Sequence, residues 1–142
     1  MQVIADIETN YMGINPVVVV NCHLENQTIG AYDHSERQVH IDLEKHNGYD
    51  SLEYVNTILH ECRHAYQHDC VDSLDWDNSQ VQSGIYFAQA RTWRYEQNNY
   101  VSANENRDAY LNQMTEKDAR YYADEGSQIY QQYIYLSNLP PR

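Results

Sequence analysis

Basic residues are scarce in this chain: 9 lysines and arginines stand against 21 aspartates and glutamates, for a formal charge of -12. A surface of that sign repels polyanions, so nucleic acid is not expected as a partner. Long apolar runs are missing too. The longest, Val17 to Val20, is far short of the ~20 residues that cross a bilayer. The opening "MQVIADIETNY" carries acids where a signal peptide needs a basic region and an apolar stretch. No membrane association is expected. Cysteine is sparse: Cys22, Cys62 and Cys70 are odd in number and form no C-x-x-C pair, which fits free thiols in a reducing compartment. A cytoplasmic location is therefore expected. With one phenylalanine but 14 tyrosines, the core should be finished by phenol rings whose hydroxyls reach the surface. The 142 residues supply one small core and leave little room for a second domain. Internal repeats are absent, and only the "NLPPR" tail is expected to lack structure.

What is present is a change of period along the chain. Val3, Ile4, Ile7, Tyr11 and Met12 recur at helical spacing until Gly13 and Pro16 stop the pattern. "PVVVVNCHL", "TIGAYD" and "RQVHIDL" are then short, β-branched or aromatic and separated by polar turns, the pattern of a small sheet. In the last, Val39, Ile41 and Leu43 alternate with His40 and Asp42, so one face is packed and one wet. From Ser51 the period is helical again, with Val55, Ile58, Leu59, Cys62 and Tyr66 on one face. A long helix is predicted from about Asn78 to Val101 through Val81, Ile85, Tyr86, Ala90 and Trp93. Ser102 to Glu105 and Thr115 to Asp118 match the capping-box pattern of helix starts. The last helix should run from about Glu116 into "SQIYQQYIYL", with Gly126 a weak point. The fold class is α+β: an N-terminal helix, a short β-sheet, a central helix and a helical C-terminal half.

The central helix carries the chemistry. In "TILHECRHAYQ", His60 and His64 point away from the apolar stripe, about 40° apart around the axis and one turn apart along it. Two imidazole nitrogens so placed can meet one ion at about 2.0 to 2.1 Å, and Glu61 beside them can reach a water on that ion as general base. The bland alternative is a pair of solvated histidines. Two histidines hold zinc too weakly alone, so a third ligand is required. His68 lies ~12 Å from His60 along an unbroken helix, too far to share the ion, and reads as a polar surface residue near the cleft. The pattern that solves this by turning at a glycine, H-E-x-x-H-x-x-G-x-x-H, is disfavoured because Gln67 and Cys70 stand at its Gly and final His. A carboxylate from a later helix remains. Glu116, followed on its side by the small residues Ala119 and Ala123, is the stronger candidate, and Glu105 the weaker. Either could instead be an ordinary first-turn acid answering the helix dipole. Arg63 is expected to pair with an acid on a neighbouring helix. Asp69, Asp72, Asp75 and Asp77 read as a solvated acidic loop, since they lack the spacing of a calcium loop.

"HECRHAYQ" followed by "TEKDARYYA" resembles the small gluzincin-type zinc metallopeptidases, including minigluzincins and related bacterial and phage-borne proteins, over roughly residues 37 to 125. The resemblance implies a zincin-like domain in which His60, His64 and Glu116 bind Zn2+. It makes Glu61 the general base for a metal-activated water and a peptide or protein the substrate. It also implies that "RQVHIDL" is the sheet edge along which the peptide lies. The chain departs from larger gluzincins by having Arg120 one turn after Glu116, where an orienting Asp is usual, with Asp118 only two residues on. No oxyanion stabiliser stands out: Tyr121, Tyr122 and Tyr130 are available, but packing is the better reading for each. The alternative function is a zincin-like binding or regulatory module with little catalysis. The acidic surface favours basic or neutral peptides, and oligomeric state has no signal.

Overall fold

The computed structural model describes residues 1–46 and 51–140. The chain runs α1 (Gln2–Met12), β1 (Val18–Asn21), β2 (Gly30–Asp33), β3 (Gln38–Ile41), a 3-10 turn (Leu43–Lys45) and α2 (Ser51–Asp72). It continues with α3 (Ser79–Ser83), a second 3-10 turn (Ile85–Phe87), α4 (Ala88–Asn98), α5 (Arg107–Asn112) and α6 (Met114–Ser137). The architecture is α+β. No helix among the described residues is long and apolar enough to cross a membrane. Of the tail expected to lack structure, Pro141 and Arg142 lie outside the described residues.

α2 is the hub, touching α1, β2, β3, α4 and α6. Its apolar positions split between two packed sides. Ile58, Cys62 and Ala65 close a core with Ala5, Val17, Val39 and Ile41, while Val55 and Leu59 pack against Ala123 of α6. Burying a side chain the size of Ile58 or Leu59 contributes about 1.5–3 kcal/mol. The expected stripe is therefore real but wider than one seam, and Tyr66 at its end is only partly buried.

The sheet has the order β1-β3-β2. β3 pairs parallel with β1 through Val19↔Val39 and antiparallel with β2 through Tyr32↔Val39. This corrects the expectation that "RQVHIDL" forms the edge: both of its sides are occupied, and β2 is the outer strand next to it. Alternation reports which face of a strand is packed and carries no information on strand order. A bidentate pair from Arg37 to Asp69, at 2.8 and 2.6 Å, fastens the turn before β3 to the end of α2. Asp69 and Asp72 thus belong to the helix, and only Asp75 and Asp77 lie in the turn that follows.

The long helix predicted over 78–101 is broken. The backbone is extended at Gly84 (φ -70, ψ 144), and Ile85 and Tyr86 are 82% and 95% exposed, whereas Val81 and Trp93 are buried. Helical spacing alone was misleading because Ser83 and Gly84 are weak helix formers whose cost the partly exposed segment does not recover. The Ser102–Glu105 box makes its reciprocal hydrogen bonds, Ser102 N to Glu105 Oε2 at 2.8 Å and Glu105 N to Ser102 Oγ at 3.3 Å. It closes a turn; the helix begins later, capped by Asn106. At the Thr115–Asp118 box the helix starts as expected, but Glu96 of α4 accepts from Met114 N and Thr115 N, each at 2.7 Å. A carboxylate from a neighbouring helix has taken the cap.

α6 continues unbroken through Gly126. A Cβ there would come within 2.9 Å of Leu59 Cδ1, so this glycine is a point of close approach between α6 and α2. Gly126→Val is expected to lower stability by about 2 kcal/mol through overpacking, read as a lower urea midpoint with the slope unchanged.

Candidate metal centre

The unbroken helix sets His60 and His64 with ring centroids 4.8 Å apart and planes at 80°. Their Nε2 atoms stand 3.1 Å from each other. Glu116, 1% exposed in the first turns of α6, places Oε2 3.2 Å from His60 Nε2 and Oε1 3.3 Å from His64 Nε2. Of the two carboxylates considered from sequence, Glu116 is the one brought to the histidines. Glu105 is exposed and spends its carboxylate on Ser102.

These three residues form a group able to hold a metal ion. The spacing fits that use. Ligands at about 2.0–2.1 Å from a tetrahedral ion are about 3.3–3.4 Å apart; the two imidazole nitrogens, at 3.1 Å, are near that, and Glu116 turns one carboxylate oxygen to each of them, with one ligand atom from each residue within 4.8 Å of the others. Burial alone would push the Glu116 carboxyl up, but the two imidazoles outweigh it and hold the group well below the usual carboxylate range. Burial likewise disfavours a charged His64, yet Glu116 and Glu61 raise its imidazole above the ordinary value. Both directions have one cause: the pocket between the three side chains favours positive charge, which a metal ion could supply.

The partners behind the donors explain their aim. Gln67 Nε2 donates to Thr115 O at 2.9 Å and to Asp118 Oδ2 at 2.8 Å. Since both are acceptors, the Gln67 amide is oriented, and its Oε1 must accept from His64 Nδ1 at 2.9 Å. Nδ1 of His64 therefore carries a proton, and Nε2, which faces Glu116 and His60, is the nitrogen a metal ion would take. Asp118 in turn accepts from Arg63 Nε and Nη2 at 2.8 and 3.1 Å. The expected pairing of Arg63 with an acid on a neighbouring helix is met. Asp118, two residues past Glu116, thus acts on His64 through Gln67 and does not touch the imidazole itself.

Glu61, 7% exposed, lies beside the triad and against β2. A Cβ on Gly30 would overlap Thr57 Cγ2 and come 3.3 Å from Glu61 Oε1, so only glycine lets β2 approach this closely. Burial raises the Glu61 carboxyl, the histidines pull it down and Glu116 raises it further; the net direction is up. A group in that state accepts a proton readily.

The triad and Glu61 line a cleft made of two contiguous hollows of about 350 and 300 Å³. Both are walled by Thr28 and Gly30 at the β2 edge, by His60 and Glu61, and by Ala103, Asn104 and Tyr110 opposite. Sequence reasoning missed two phenols here. Tyr100 donates to Glu116 Oε1 at 3.3 Å and stands edge-on to Tyr110 at 6.3 Å; burial first, then Glu116, keeps both phenols protonated. Among so many tyrosines no local pattern marks these two. Tyr122 and Tyr130 instead donate to buried Glu8, and Tyr121 is exposed, so packing rather than oxyanion duty is their use. His68 reaches the cleft wall but is no ligand. It stacks on His34 at 4.3 Å, and burial, with His34 beside it, brings its imidazole down to about 4.

Comparison with protein families, curated proteins and solved structures finds no match in any of the three.

Each ligand and its support has a distinct signature in metal titration. Glu116→Gln is expected to abolish tight binding of one divalent ion per chain, and Gln67→Met to weaken it about 10–100-fold. Glu105→Gln should leave the affinity unchanged, as competition with a chromophoric chelator would show.

Proposed function

We propose that the chain is a zinc-dependent metallopeptidase of the zincin type, resembling small gluzincins. The observation that carries this reading is the convergence of His60, His64 and Glu116, one ligand atom from each within 4.8 Å of the others, with Glu61 beside them at an outer strand. Two imidazoles and one carboxylate are a donor set that suits zinc and leaves a fourth position for water or substrate.

Zinc held there by His60, His64 and Glu116 would supply Lewis acidity, enough to polarise a carbonyl and to acidify water near neutral pH. The remaining work belongs to the chain. Glu61, its proton affinity raised by burial, takes the proton from the attacking water and returns it to the leaving nitrogen. The outer side of β2 offers backbone groups to an extended peptide, which aligns the scissile bond with the triad as an added strand. Gln67 and Asp118 hold the His64 ring through that cycle. Tyr100 and Tyr110 are the nearest phenols able to donate to a developing oxyanion.

A second reading, a metal-binding module with little catalysis, is favoured by one observation: the Tyr100 hydroxyl is already committed to Glu116. The two readings part in one experiment. On the peptidase reading, protein purified without a histidine tag carries zinc, cleaves members of a diverse peptide library and loses activity on chelation. Glu61→Gln should then keep its zinc while turnover falls at least ~100-fold. Full zinc occupancy with no cleavage would select the module, and turnover surviving Glu61→Gln would exclude the base assigned here.

A further inference from the structure

The cleft is nearly free of charge outside its machinery. Apart from Glu61, Glu116 and the histidines, Arg107 is the one ionisable group other than tyrosine lining either hollow among the described residues. Its partners are as telling as its place. Arg37 and Arg63 are paired with Asp69 and Asp118, Arg91 and Arg120 donate to backbone carbonyls, and Arg94 lies over Trp76. Arg107 has no ion pair or side-chain hydrogen bond among the described residues. In a chain with more than twice as many acids as bases, an unpaired guanidinium at the cleft is the exception.

Its position is held from both sides. The Asn106 side chain accepts from Ala109 N at 3.0 Å and fixes the start of α5, and Arg120 of the Glu116 helix donates to Leu111 O. Arg107 then borders the hollow that His60, Glu61, Asn56 and Asn104 also line. A guanidinium with no acid among the described residues paired to it matches a carboxylate, which it can receive through two parallel N–H···O bonds.

We propose that Arg107 is a specificity-determining residue that anchors a carboxylate of the substrate peptide, either its free C-terminus or an acidic side chain. The proposal rests on the peptidase reading of the same cleft and narrows its substrate class. It also revises the expectation, drawn from net charge, that basic or neutral peptides are favoured. The charge of -12 acts over the whole surface and is screened beyond about 10 Å at ordinary salt, whereas a bound peptide meets the local guanidinium.

The test uses zinc-loaded Glu61→Gln protein, which binds without turning over, and fluorescein-labelled peptides in matched pairs: free acid against C-terminal amide, Glu against Gln, Asp against Asn. The carboxylate member of at least one pair should bind about fivefold more tightly at low salt. Because Arg107 is exposed, the preference should shrink as salt rises. A preference confined to the acid–amide pair assigns the anchor to the C-terminus; one confined to the side-chain pairs assigns it to an acidic residue. Adding Arg107→Gln should erase the preference without weakening the neutral peptides, and Arg107→Glu should invert it. Equal binding of both members of every pair overturns the proposal, as does a preference that survives Arg107→Gln. The wild-type enzyme separates this from the parent reading. Cleavage without carboxylate preference sinks the anchor alone, and carboxylate-selective binding without cleavage sinks hydrolysis alone.

Discussion

The distance between α2 and α6 is the constraint on which the site depends. Two imidazoles on one helix are an incomplete metal site, and the missing donor comes from a helix more than fifty residues later. A glutamate can reach across only if the backbones lie close, and that closeness is built from small side chains. Ala119 and Ala123 are fully buried at the contact, and a Cβ at Gly126 would press on the buried end of Leu59, which would have to shift. Leu59 filling the gap below and Glu116 filling the pocket above are two results of one packing arrangement.

Small residues permit the approach but do not fix its register, and polar contacts do that. Arg63, Gln67, Asp118 and the carbonyl of Thr115 make a connected set of hydrogen bonds between the two helices. Every member is partly or fully buried, so breaking one strands the others without water. The same set orients His64. Glu96 adds a third helix by capping α6 from α4. The start of α6, where Glu116 lies, is thus held from two directions. On the far side, buried Glu8 of α1 takes hydrogen bonds from Tyr122 and Tyr130. These phenols therefore turn their hydroxyls inward to a carboxylate, where the composition had pointed to hydroxyls at the surface.

How much of this was legible in the sequence follows from the range of each interaction. The helices α1 and α2, the three strand segments and the pair His60 and His64 are local patterns and are found, although in α1 Val3, Ile7 and Tyr11 of the apolar set are exposed while Ala5, Glu8 and Thr9 are buried. The group able to hold a metal ion, with Glu116 completing it, was legible because Ala119 and Ala123 repeat one turn apart behind it. Strand order, the break at Gly84 and the cap from Glu96 are decided by contacts between distant segments, and no local period encodes them. Gln67 is an intermediate case: its place three residues after His64 puts it within reach of the ring, but only Asp118 and Thr115 on the other helix fix which end of its amide faces the imidazole. Tyr100 and Tyr110 were hidden by abundance, since a residue type that also does the packing leaves no distinctive mark at a site.

A small domain meets a particular difficulty in building a reactive centre, because few residues remain to shield it or to shape pockets around it. Here α2 does both tasks at once. Ile58, Leu59 and Cys62 form the core, and His60, Glu61 and His64, interleaved with them, line the cleft. Interleaving makes the site rigid at little extra chain length, because displacing a ligand means rotating a helix whose other side is locked by packing. It also limits the wall that α2 can contribute beyond the ligands themselves. The remainder must come from β2, from the 100–104 loop and from α5, the parts with fewest buried apolar side chains. On the peptidase reading, discrimination among substrates therefore falls to polar and charged groups in those segments, and of their charged residues Arg107 is the one that lines the cleft among the described residues.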